Sequence, residues 1–170
     1  VGFYQPKLLV RLGLFLLTVI STFFSYGLLA LIFVDFIDSS PAPAVILLGL
    51  ATYGALEYFI HLKPHFHSGI DDALTWLSAS LLFGGFAYGI DASPLVMCCI
   101  GLAIAAFFAL RFVDKLMAVV AFLSLEGVLF FACSEIGGYA KAASSFLLMI
   151  TAIVAYLVAR SKANKTIYTP

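Results

Sequence analysis

The sequence predicts an all-α, polytopic membrane protein, a bundle of about six transmembrane helices with both termini in the cytoplasm. Three observations carry that expectation. The 170 residues are 64% apolar and only 11% charged, with a mean hydropathy of +1.12. A soluble domain covers itself with roughly a quarter charged residues, so this chain cannot face water all round. Apolar stretches of ~20 residues, the length a helix needs to cross a bilayer, recur from end to end. The lysines and arginines also divide unevenly between the two ends of those stretches. Residues 1–170 therefore read as a single transmembrane domain whose main partner is the lipid bilayer.

The predicted helices are about 8–36, 44–62, 72–90, 94–113, 115–136 and 139–160. The first follows Lys7 and Arg11 and resembles a secretory signal at its start. It is too long for the ~7–15-residue apolar core of a signal and reads as an uncleaved span. Ser40-Pro41 and Ser93-Pro94 each set a capping hydroxyl before a proline at the first helical position. Pro64 disfavours helical geometry at Lys63 and closes the second helix. Ser68 and Asp71 have capping-box spacing ahead of the third. Gly137-Gly138 separates the fifth from the sixth. Between the fourth and fifth, Arg111-Phe112-Val113-Asp114-Lys115 has neither Gly nor Pro, and only its charges argue for a turn. Gly84, Gly85 and Gly89 in the third helix are expected to permit close helix packing.

Six crossings put Lys7, Arg11, Lys63, Arg111, Lys115, Arg160, Lys162 and Lys165 on one side and Lys141 alone on the other. Positive residues gather on the cytoplasmic side, which places both termini there and suits the plasma (inner) membrane. A zero formal charge and the lack of a basic stripe exclude nucleic acid as a partner. The match of Leu56-Glu57 with Leu125-Glu126 is the only echo of an internal repeat.

Two places could carry chemistry. Glu126 lies near the middle of the fifth helix, where an ionised carboxylate costs at least ~2.5–3.5 kcal/mol. It is expected to hold a proton, or to face a partner inside the bundle. As a functional residue it would bind an ion or proton on a transport path, with Glu57 nearer the cytoplasmic mouth. As a packing residue it would be a neutral carboxyl hydrogen-bonding Ser80, Ser144 or Ser145 on a neighbouring helix. The second place holds all three histidines. Glu57 and His61 are four apart on one helix face, and His65 and His67 follow Pro64. Imidazole and carboxylate together suit zinc, iron or manganese, so Glu57, His61, His65 and His67 form a candidate metal site. Asp71 and Asp72 are candidate supports for its histidines. Asp71 and Asp72 equally suit the first turn of a helix, near the positive end of its dipole.

No nucleophile elbow, His-Glu-x-x-His zinc motif or phosphate-binding loop is present. Cys98, Cys99 and Cys133 lack metal-ligand spacing, though Cys133 lies at the depth of the first two and could pair with either. Three functions follow. The chain is a membrane-embedded subunit or small-solute or ion pathway using intramembrane carboxylates, or a metal-dependent membrane enzyme at the cytoplasmic face, or a scaffold whose polar residues only fix packing. As a subunit it would assemble with copies of itself or with other membrane proteins.

Overall fold

The computed structural model describes residues 8–62, 69–90, 92–137 and 139–167. Among the described residues the chain is wholly α-helical, in seven helices: α1 (Leu8–Ile32), α2 (Val34–Ser39), α3 (Pro41–Leu62), α4 (Ile70–Ile90), α5 (Pro94–Phe112), α6 (Lys115–Ile136) and α7 (Tyr139–Ile167). Five of them, α1, α3, α4, α5 and α6, are long and apolar enough to cross a membrane, and α7 contains a shorter apolar stretch, Ala143–Leu157. Such helices point to a membrane protein. The chain divides into two compact units, Val1–Asp91 and Ala92–Pro170.

The predicted first helix, 8–36, is broken at Phe33, where the backbone leaves helical geometry (φ −110°, ψ 31°). No proline or glycine stands there. A 25-residue helix already rises about 37 Å, more than the ~30 Å of a bilayer core. The residues that follow include Asp35 and Asp38, which favour water. The second predicted helix begins at Pro41 rather than 44, because Pro41 takes the first helical position and the Ser40 carbonyl accepts the first bond from Ala44 N–H (3.2 Å). The helix predicted from 72 begins at Ile70, with the Gly69 carbonyl accepting from Ala73 N–H. Ser68 of the expected capping box lies outside the described residues, as do Lys63 and Pro64. The last helix runs to Ile167, past the predicted 160, with no Gly or Pro before that point to stop it.

In the first unit α4 is the hub, packing against α3 along its length and against α1. Small residues set the α3–α4 approach. A Cβ placed on Gly85 would lie 2.6 Å from Ile46 Cγ1 and 3.0 Å from the Ile46 nitrogen, and one on Gly89 would lie 3.0 Å from Ala42 Cβ. Gly84, grouped with these from the sequence, faces open space instead. Buried Ser78 donates across the same seam to the Gly49 carbonyl at 3.0 Å. Tyr26 of α1 and buried Thr52 of α3 share a hydroxyl–hydroxyl bond, and Thr52 also reaches the Leu48 carbonyl at 2.6 Å.

At one end of that unit, Arg11 clasps Asp72 through Nε (2.8 Å) and Nη2 (2.5 Å), joining α1 to α4. Gly69 is needed beside this pair. Its φ of +92° favours glycine, and a Cβ there would strike the Arg11 carbonyl. Between α1, α2 and α3 lies a cavity of about 490 Å³ lined only by apolar side chains such as Phe33, Phe36, Ala44 and Leu48. It offers no group to orient a polar substrate.

In the second unit α6 is the hub, packing against α5 and α7. Ala105, Phe108 and Phe112 are buried at helical spacing on one face of α5. Gly127 admits the Cys98 sulfur so closely that a Cβ would lie 2.8 Å from it. The turn at 113–114, which lacked Gly and Pro, is real. Asp114 caps α6 by accepting from Leu116 N–H at 2.8 Å, and Val113 adopts the left-handed region (φ 53°) to let the chain reverse. At Ser93 the expected hydroxyl cap does not form, although Pro94 does open α5 and the Ser93 carbonyl accepts from Met97 N–H. All three cysteines are free thiols, so the candidate pairing with Cys133 is not made.

Candidate functional site

A carboxyl group inside an apolar helix pair must find partners for up to four acceptor sites if ionised, or for one donor and one carbonyl if neutral. Glu126 meets that problem on α6. It lies eleven residues beyond Lys115, about 16 Å along the helix, close to half of a ~30 Å bilayer core. Its partner comes from α7: Thr151 Oγ1 lies 2.5 Å from Glu126 Oε1. The other oxygen, Oε2, is buried and no described protein group hydrogen-bonds it. Among the described residues it is the sole buried side-chain nitrogen or oxygen so left.

Thr151 is itself crowded with acceptors. Its Oγ1 is 2.9 Å from the Leu148 carbonyl and 3.2 Å from the Leu147 carbonyl, in addition to Glu126. A helical threonine ordinarily donates its one proton to a carbonyl a turn back. One proton cannot serve three acceptors at once, so the Glu126–Thr151 contact has an unequal choice of donors.

Thr151 was not among the partners expected from sequence, and the reason is depth. Glu126 precedes Gly137 by eleven residues, and Thr151 follows Gly138 by thirteen. The two therefore sit within about 3 Å of each other along a helical hairpin. Ser144 follows Gly138 by only six and is about 7 Å too shallow. It is buried and donates to the Lys141 carbonyl at 2.7 Å. Ser145 is exposed, and Ser80 belongs to α4 of the other unit. Counting outward from the turn would have found Thr151.

The histidine-bearing end of α3 looks different. Glu57 and His61 do share a face, and Glu57 Oε1 accepts from the Tyr53 hydroxyl at 2.7 Å. His61 Nδ1 is 4.0 Å from Glu57 Oε2 and 3.1 Å from the Glu57 backbone carbonyl. With Nδ1–H donating to that carbonyl, the ring's remaining lone pair, on Nε2, is the one free to bind a ligand. The His61 side chain is 76% exposed, so that nitrogen can meet solvent. His65 and His67 lie outside the described residues. Among the described residues no three histidine, cysteine, aspartate or glutamate side chains gather closely enough to hold a metal ion. Asp72 is engaged by Arg11, and the Asp71 carbonyl accepts from the Thr75 hydroxyl at 2.7 Å.

Comparison with protein-family models, with curated proteins and with solved structures finds no match for this chain.

Proposed function

We propose that the chain is a six-crossing protein of the plasma (inner) membrane with cytoplasmic termini, and that it provides a small-solute or ion pathway in which Glu126 is the binding residue. The observation that carries this reading is the buried, unpartnered Oε2 of Glu126. A carboxyl recruited only for packing gains by satisfying both oxygens, because each unpaired buried polar group costs about 1–3 kcal/mol. A carboxyl with only one oxygen engaged at mid-helix is free to take up and release an ion or proton without breaking a full set of bonds. An ionisable group at that depth is a candidate for an ion or proton pathway.

The test is flux through the purified chain reconstituted in phosphatidylcholine–phosphatidylglycerol vesicles under imposed proton, sodium or potassium gradients. Wild-type vesicles should dissipate one of these gradients, and Glu126→Gln vesicles of equal protein content should not. Equal dissipation by both would remove Glu126 from the pathway and favour the scaffold reading.

A metal-dependent enzyme at the cytoplasmic face is the second reading. It is favoured by the exposed His61 ring, whose Nδ1 bond presents Nε2 to solvent. Stoichiometric zinc, iron or manganese in protein purified without a histidine tag, lost in His61→Ala, would support it.

A further inference from the structure

We infer that the ion taken by Glu126 is a proton, held as a carboxylic acid that donates from Oε1 to Thr151, and that the Thr151 hydroxyl reverses its bond when the proton leaves. The inference rests on the reading of Glu126 as the pathway's binding residue and narrows its cargo.

The hydrogen inventory leads to it. Thr151 Oγ1 has one proton and three oxygens in range: Leu148 O at 2.9 Å, Leu147 O at 3.2 Å and Glu126 Oε1 at 2.5 Å. If the hydroxyl donates to Leu148 O, as helical threonines do, the short contact to Glu126 needs its proton from the other side. A carboxylic acid supplies it, and 2.5 Å lies within the O–H···O range. Oε2 is then the carbonyl oxygen of a neutral acid. Leaving that oxygen unpaired costs far less than burying an ionised carboxylate with one side bare. Both oddities of the site, the over-subscribed hydroxyl and the bare oxygen, have one cause.

Release needs only a water as proton acceptor. The acid passes its proton to a water, giving a carboxylate and a hydronium ion. The Thr151 hydroxyl then turns from Leu148 O to donate to Oε1. The interhelical bond survives with its direction reversed, so α6 and α7 need not separate in either state. A hard metal cation is served poorly in comparison, because such ions seek six or more oxygens. Among the described side chains, Glu126 has Thr151 as its hydrogen-bonding neighbour, and the Leu147 and Leu148 carbonyls belong to the helix.

Infrared spectroscopy of the full chain in the same vesicles, combined with cation replacement, tests this. Wild type at neutral pH should show a protonated-carboxyl carbonyl band that moves in heavy water and disappears in Glu126→Gln. Thr151→Val should displace the band by removing its hydrogen-bond partner, and Thr151→Ser should restore it. Proton movement should be unchanged when sodium and potassium are replaced by N-methylglucamine. Absence of the Glu126 band overturns the inference. So does Glu126-dependent flux that follows sodium or potassium, although the pathway reading then survives. A band without Glu126-dependent flux of any of the three ions overturns the pathway reading and takes the inference with it.

Discussion

The two units each contain three long helices, yet they treat buried polarity in opposite ways. In the first, the bonded hydroxyls are satisfied, Ser78 to Gly49 and Tyr26 to Thr52 to Leu48, and Arg11 pairs with Asp72 at a more exposed end. In the second, an apolar face of Ala105, Phe108 and Phe112 accompanies one carboxyl that remains half satisfied. The hubs differ as well, α4 in the first and α6 in the second. Glu57 and Glu126 therefore do not occupy equivalent places, as an internal repeat would require. Sealed polarity holds helices together, whereas open polarity costs stability. On the function proposed above, the first unit would serve as scaffold and the second as the working part.

Breaking the sealed side should have the largest effect. Gly85→Val would press a branched side chain into the Ile46 backbone and should destabilise by about 3 kcal/mol, seen as a fall in the thermal unfolding midpoint in detergent. Gly84→Val, facing open space, should change little. On the open side the sign should reverse. Glu126→Met replaces a half-satisfied carboxyl with an apolar side chain of similar size, and Thr151 keeps its bond to Leu148. This variant should be more stable by about 1–2 kcal/mol while losing flux. A destabilised Glu126→Met would place Glu126 among the sealing groups and erase the contrast. The smallest effect is expected from Ser78→Ala, a loss of about 1 kcal/mol from one interhelical bond, with flux retained.

Much of the fold was legible in the sequence because hydrophobic length and punctuation are local signals. Pro41, Pro94 and Gly137 fall at the starts or end of helices, and even the turn before Lys115 was found from charge. Its mechanism, an Asp114 cap with Val113 left-handed, was not, since an unfavourable backbone in a β-branched residue leaves no positive trace in composition. The break at Phe33 was missed because an apolar run shows no interruption there. Glu126 stood out at once, for a mid-helix carboxylate in an apolar run is conspicuous. Its partner Thr151, and the grip of Arg11 on Asp72, join residues 25 and 61 positions apart. The first lies within one hairpin and follows from depth counted from Gly137-Gly138, whereas the second depends on which helices become neighbours, which periodicity does not encode.

If Glu126 holds a proton in an apolar setting, a hydrophobic carbodiimide will find it. The reagent adds to a carboxyl only with that group's proton, giving an O-acylisourea that rearranges to a stable N-acylurea. Treated at neutral pH in vesicles and analysed by mass spectrometry, the chain should carry a single adduct that maps to Glu126 and is missing in Glu126→Gln. An unmodified Glu126 in folded protein, with label only on Glu57 or on no residue, would mean that Glu126 does not hold a proton there.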